Sequence, residues 1–276
     1  MRRLLAVAPC LLLAGCAGMG LDGIKLDSVA TAAGAVASSR KDFTPDEERA
    51  LGRVVAARVI GNYGNWKNEA ATRYVNLVGQ TVARQVGRPG VIWRFALLDT
   101  DTVNAFSCPG GYVLVTRGLL DACRSEAELA AVLAHECGHV AGEHVLKEIK
   151  RANLVSAGLK IVATQAGGGE MTADLMQRIG ERGFDVLISR GMDRKDELDA
   201  DARGCRIASA AGYATAPYGE FLDRLATRMG KESGGALASL AKTHPPASER
   251  RQRLQDAGLL LSDGQVLADR FAKRMR

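Results

Sequence analysis

Aromatic side chains make up only 5% of the 276 residues, and histidine is scarcer still, with four in the whole chain. The 37 lysines and arginines are scattered among 31 acidic residues, and few aromatics are interleaved with them. A nucleic-acid surface is therefore not expected, and the formal charge of +6 supports no more than weak attraction to anionic surfaces. No apolar run reaches the roughly 18 residues that a bilayer-spanning helix needs. No internal repeat is found, which excludes solenoids and propellers. What is there, 47% hydrophobic and 25% charged residues, is too balanced for a disordered, collagen-like or polytopic membrane chain and suffices for the core of one compact unit.

The first residues read as an address. Arg2 and Arg3 precede an apolar run from Leu4 to Leu13, the length of a secretory signal core and too short for a bilayer of about 30 Å. The run ends in Leu13-Ala14-Gly15-Cys16, which resembles the lipobox of bacterial lipoproteins. That resemblance implies cleavage before Cys16 and lipid on its thiol; the alternative is an ordinary cleaved signal with an incidental cysteine. Ala17, where an Asp would imply retention at the inner membrane, points to the periplasmic face of the outer membrane. Residues 1–15 are thus expected to be a lipoprotein signal peptide and 16–42 the acylated cysteine with a Gly-, Ala- and Ser-rich tether. A folded domain over 43–260 and a C-terminal tail over 261–276 complete the division. Cys108, Cys123, Cys137 and Cys205 would face an oxidising compartment, either as disulfides, with three pairings open, or as small buried hydrophobes.

Thr44-Pro45-Asp46-Glu47 combines an N-cap, a proline at the first helical position and a capping-box Glu, and Leu51, Val54, Val55 and Val59 follow at helical spacing. A second helix over 68–85 draws its apolar stripe from Tyr74, Val75, Leu77, Val78 and Val82. Between Val91 and Val115 the period changes: Val91–Leu98 and Gly111–Val115 are β-favouring runs separated by turn formers, and a small antiparallel sheet is expected. Ser125 with Glu128 opens another helix that runs through Leu133 to Val140. Beyond it, 152–194 reads as a mobile insertion covering whatever lies beneath.

The helix after Ser125 carries His135-Glu136-Cys137-Gly138-His139, the HExxH pattern. Two histidines four apart lie about 40° from each other around a helix, so both imidazoles reach one zinc ion. Glu136, next to the first ligand, can approach a water at the metal and take its proton, since zinc lowers the pKa of that water to roughly 7. A third protein ligand is needed, and two residues compete. His144 lies about 140° around an unbroken helix from His139, so it faces away unless Gly142 breaks the helix. Glu197, in Glu197-Leu198-Asp199-Ala200-Asp201, completes a two-His, one-Glu set from a second helix, with Asp201 one turn later placed to hydrogen-bond a ligating imidazole.

HExxH followed by ExxAD resembles the HtpX and CAAX-endopeptidase family of zinc metallopeptidases, metallopeptidase family M48, in its short periplasmic lipoprotein branch. Asn104-Ala105-Phe106 with Pro109-Gly110-Gly111-Tyr112 and Thr116-Arg117-Gly118-Leu119-Leu120 is similar to that family's NAF, PGG and TRGLL stretch. Thr243-His244-Pro245-Pro246 with Arg250 and Leu254 resembles its late THPP element. The resemblance implies an α+β, mainly helical gluzincin-type fold, with the edge strand of a small antiparallel sheet lying above the HExxH helix. It further implies one zinc ion per chain, catalysis by Glu136 with His244, and an edge strand that receives substrate backbone through Asn104, Ala105, Phe106, Gly110 and Gly111. His244 would stabilise the oxyanion or approach the zinc and hold the enzyme quiet; a plain turn histidine is the alternative. The function so implied is endopeptidase cleavage of unfolded or misfolded envelope polypeptides, with the outer-membrane assembly machinery as a candidate partner. The rival is an envelope chaperone or assembly factor whose zinc site is mostly closed and latent. An inner-membrane lipoprotein of the same activity differs only in address.

Overall fold

A computed structural model describes residues 43–157, 173–229 and 235–275. The signal segment, Cys16 and the tether lie outside them, as does the middle of the 152–194 insertion. The chain opens with α1 (Pro45–Tyr63), begun by the expected capping box: Thr44 Oγ1 accepts from the Glu47 amide, and the Glu47 carboxylate accepts from the Thr44 amide. Helix α2 (Glu69–Ala83) follows from an Asn68 cap. Its stripe buries Tyr74, Val75, Val78 and Val82, whereas Leu77 is 63% exposed because it lies about 115° from the centre of that stripe.

Three strands come next: β1 (Arg94–Leu98), β2 (Ala105–Cys108) and β3 (Tyr112–Thr116). The expected antiparallel sheet is corrected here to a mixed one of order β1-β3-β2, with β1 parallel to β3 and β2 antiparallel to it. The reason is a strand that the two apolar runs do not announce. Residues 105–108 insert a reversal between them, so the outer runs must point the same way. Strand alternation sends Val113 and Val115 to one core and Leu114, with Phe106, to another, so both faces of the sheet are covered. β2 is left with a free edge.

After the short helix α3 (Arg117–Ala122) comes α4 (Glu126–Ala141), capped by Ser125 Oγ. Every residue of α4 from Glu126 to Val140 is buried, as expected of a helix that is apolar most of the way round. It packs on α2, on β2, on α7 (Arg194–Ala210) and on α8 (Ala216–Met229). Helix α5 (His144–Ala157) and helix α6 (Ala173–Asp185) belong to the other core with α1. A π-helical turn, Val186–Arg190, leads from α6 towards α7. Two short helices follow, α9 (Ala238–Thr243) and α10 (Ala247–Asp256), the second packed on α7 and α8. Among the described residues no helix is long and apolar enough to cross a membrane. Cys108, Cys123, Cys137 and Cys205 are all buried and unpaired, which leaves them as small hydrophobes whose thiol pKa burial pushes up.

Residues 261–276, expected as a tail, contain α11 (Ala268–Met275), which packs on α2 and α4. Phe271 is buried, and Arg270 forks onto the carboxylate of Glu126, the first residue of α4. Glu126 also accepts from Tyr74 Oη at 2.6 Å and Tyr213 Oη at 2.7 Å. One carboxylate thus ties α2, α7's following turn and α11 to the start of the central helix. Glu126→Ala leaves buried hydroxyls and a guanidinium without their acceptor. It is expected to cost about 3 kcal/mol, read as a lowered denaturant midpoint at unchanged m-value.

Candidate metal centre

Helix pitch places His135 and His139 on the same face of α4, and α7 brings Glu197 against them. The two helices approach closely because each supplies a glycine at the crossing. A Cβ on Gly138 would stand 3.0 Å from the Ala200 carbonyl oxygen, and one on Gly204 would stand 2.8 Å from the backbone nitrogen of His135. His135 Nε2 and His139 Nε2 are 3.1 Å apart; Glu197 Oε1 is 3.3 Å from His139 Nε2, and its Oε2 is 3.8 Å from His135 Nε2. Donor atoms around a tetrahedral zinc at 2.0–2.2 Å are separated by about 3.4 Å, so this donor set fits such an ion.

Burial and charge give the same fit. Glu197 is 1% exposed, and its Oε2 has no hydrogen-bond partner. Burial pushes the Glu197 carboxyl up, but the imidazoles of His244, His139 and His135 outweigh it and hold the group at about 2. For His139 the opposing effects are burial, which lowers its pKa, and the carboxylates of Glu197, Glu136 and Asp201, which raise it above the ordinary histidine value. Three buried carboxylates, Glu136, Glu197 and Asp201, face one buried guanidinium, Arg250. With neutral imidazoles the pocket is two charges short of balance, which suits a divalent cation.

Asp201 stands where the sequence places it, its Oδ1 2.9 Å from His135 Nδ1. Sequence reasoning missed its support. Arg250 donates to both Asp201 oxygens, at 2.9 and 2.7 Å, and to Tyr218 Oη at 2.7 Å, while Tyr218 Oη is 3.0 Å from Asp201 Oδ1. Nothing local marks Tyr218; only its hydroxyl at the end of an apolar helix face hints at a polar partner. His144 does not join the donors. Its Nδ1 lies 3.0 Å from His139 Nδ1, on the far side of that ring from Glu197.

The free edge of β2 borders the same cleft. Ala105, Phe106 and Ser107 line it with Glu136, His139 and Glu197, and Leu187, Gly191, Met192 and His244 face them. About 20 Å³ remains between the walls, room for a single water. The described end of the insertion therefore covers the site. Asn104 is buried behind it, accepting from the Ala105 amide and donating to Ser239 Oγ. Gly110 and Gly111 are not brought to the cleft: they form the turn after β2, where the Gly110 amide donates to Glu48 Oε1. Glu48 is in turn paired with Arg88, which reaches the Val140 carbonyl oxygen at the end of α4, so the turn and the metal helix share an anchor.

His244 Nε2 is 3.6 Å from Glu197 Oε2. Thr243 Oγ1 gives its hydrogen to the Ser239 carbonyl, so the 2.9 Å contact with His244 Nδ1 is filled by the imidazole donating. Nε2 then presents a lone pair to the cluster. Burial holds the His244 pKa down at about 4, which keeps the ring neutral near pH 7.

Two imidazoles and a carboxylate thus converge beneath a free strand edge, a donor set suited to a metal ion beside main chain that can pair with an extended segment. The family comparison agrees: the profile of Peptidase family M48 matches residues 69–257, and the chain belongs to that family. It is 30% identical over 221 residues to the mitochondrial metalloendopeptidase OMA1 of Schizosaccharomyces pombe, covering 78% of this chain and 62% of that one. It is 26% identical over 255 residues to the metalloprotease LoiP of Escherichia coli, covering 92% and 94%. To the beta-barrel assembly-enhancing protease of Yersinia pestis it is 26% identical over 211 residues, covering 73% and 41%. The chain thus spans less than two thirds of the mitochondrial and the assembly-enhancing relatives and nearly all of LoiP.

Proposed function

We propose that the protein is a zinc-dependent endopeptidase that cleaves unfolded or misfolded polypeptides of the bacterial envelope, held by lipid on Cys16 at the periplasmic face of the outer membrane. The observation that carries the activity is the convergence of His135, His139 and Glu197 on one point beside Glu136 and the edge of β2. The address rests on the lipobox-like Leu13–Cys16 and is supported by a bacterial relative named as a beta-barrel assembly-enhancing protease.

His135, His139 and Glu197 would hold the zinc, which when bound polarises a carbonyl and makes water acidic enough to ionise near neutral pH. Glu136 accepts the proton of the attacking water and returns it to the leaving amine. Edge strand β2 pairs with substrate main chain and reads no particular side chain, which selects extended, unfolded segments. Asp201, fixed by Arg250 and Tyr218, keeps the hydrogen of His135 on Nδ1 and leaves Nε2 free to ligate. His244, in the tautomer that carries its hydrogen on Nε2 and accepts from Thr243 Oγ1 at Nδ1, would donate to the developing oxyanion.

A second reading is favoured by one observation. With about 20 Å³ in the cleft and the His244 lone pair facing the cluster, the arrangement is closed, as in an envelope chaperone or assembly factor with a latent site. Zinc content and casein turnover of the purified protein, measured on the wild type and on Glu197→Ala, test both. The peptidase reading expects one zinc and casein cleavage in the wild type, with both lost in the variant. Zinc without cleavage selects the latent reading, and full zinc occupancy in Glu197→Ala overturns the ligand set.

A further inference from the structure

His144 takes no part in the chemistry above, yet it is among the most buried polar side chains, 1% exposed. Helix α4 stops at Ala141, Gly142 caps it, and Glu143 adopts a left-handed φ of 55° before α5 begins at His144. That break carries the imidazole back beneath α4, to the far side of the His139 ring, where an unbroken helix would turn it away. The two rings meet edge to face, with centroids 5.0 Å apart and planes at 84°. The two Nδ1 atoms are 3.0 Å apart, and His144 Nε2 lies 3.2 Å from Asp199 Oδ2 and 3.6 Å from Asp196 Oδ1.

Two ring nitrogens at that distance share one hydrogen, and with Nε2 of His139 given to a metal only one assignment of neutral rings satisfies the remaining contacts. His139 turns Nε2 towards His135 and Glu197, so that nitrogen must be bare to ligate and the hydrogen sits on Nδ1. His144 Nδ1 then accepts it. The hydrogen of His144 is thereby placed on Nε2, aimed at the Asp199 carboxylate.

We propose that His144 is a positioning residue that fixes the tautomer and ring plane of His139, with Asp199 as its anchor and Gly142 providing the space. A Cβ on Gly142 would overlap His144 Nε2, so any side chain there evicts the ring. The two ligating histidines are thus oriented differently: His135 directly by a carboxylate, His139 through a second imidazole. The inference rests on the reading of His139 as a zinc ligand.

Zinc affinity measured by chelator competition on the full chain tests it, with far-ultraviolet circular dichroism reporting the fold and the visible spectrum of the Co²⁺-loaded protein reporting ligand geometry. His144→Leu is expected to stay folded, to bind zinc about 10- to 100-fold more weakly and to shift the cobalt bands. His144→Asn, whose amide oxygen stands near the place of Nδ1, is expected to restore most of the affinity and the spectrum. Should His144→Leu fail to fold, Asp199→Ala, at a partly exposed position, carries the test, with a several-fold loss expected. Wild-type affinity in folded His144→Leu or in Asp199→Ala overturns the inference, as does His144→Asn performing no better than the leucine variant. His139→Ala separates the two levels: it is expected to lose zinc outright, and if it does not, the ligand assignment fails and takes the inference with it.

Discussion

Glu136→Gln is expected to reduce peptide cleavage by about a thousandfold or more while leaving zinc content and folding unchanged. The glutamine has nearly the same shape, so the walls of the cleft with Ala105, Phe106 and His244 are preserved. On the proposed mechanism, what is lost is the ability to take a proton from water and hand it to the departing amine. The donor atoms that converge are those of His135, His139 and Glu197, none of them on Glu136, so metal content should not move. Casein turnover alongside elemental analysis of the same preparation makes the comparison. Cleavage that survives the substitution, in material free of contaminating protease, would remove Glu136 from the mechanism.

Arg250→Leu is expected to cost about 3–5 kcal/mol near neutral pH, because it strands Asp201 as a buried, uncompensated carboxylate. Burial by itself raises the Asp201 pKa; the Arg250 guanidinium, with His135, reverses that and holds the carboxyl well below the usual carboxylate range. A carboxyl depressed in the folded state contributes stability above its unfolded pKa of roughly 4 and loses it as the pH falls further. The unfolded carboxyl is common to both proteins, so the gap follows the folded ones: it should be widest where Asp201 is ionised in both and shrink as the pH falls through the raised pKa that burial without Arg250 gives Asp201. Urea unfolding of the two proteins at a series of pH values reads it. A gap that stays constant down to low pH would mean that Arg250 acts by packing and not through Asp201.

Much of the centre was legible because its parts are local. His135, Glu136 and His139 lie within two helical turns, and the Glu197–Asp201 spacing is again one helical turn, so periodicity alone puts each group on a face. Thr44 with Glu47 and Ser125 with Glu128 announced two helix starts in the same way. What local pattern does not carry is which faces meet. Arg250 reaches Asp201 across 49 residues, and Arg270 reaches Glu126 across 144. The parallel pairing of β1 and β3 depends on a four-residue strand, 105–108, too short to stand out from its turn-forming neighbours. Helix α11 is eight residues, half of them charged, and its one buried apolar side chain is Phe271, so nothing in its own sequence distinguishes it from a tail. The role of His144 was hidden for a different reason. Helical arithmetic assigns it a direction only if the helix continues, and the Gly142–Glu143 break resets the angle.

The clasp on Glu126 has a bearing on biosynthesis. Arg270 comes from the last described helix, so during translation the first turn of α4 waits, with its carboxylate held by tyrosines, until that helix has been made. Anchoring of the helix that carries both histidines is thereby coupled to synthesis of α11, and a nascent chain stopped short of that helix would lack the latch.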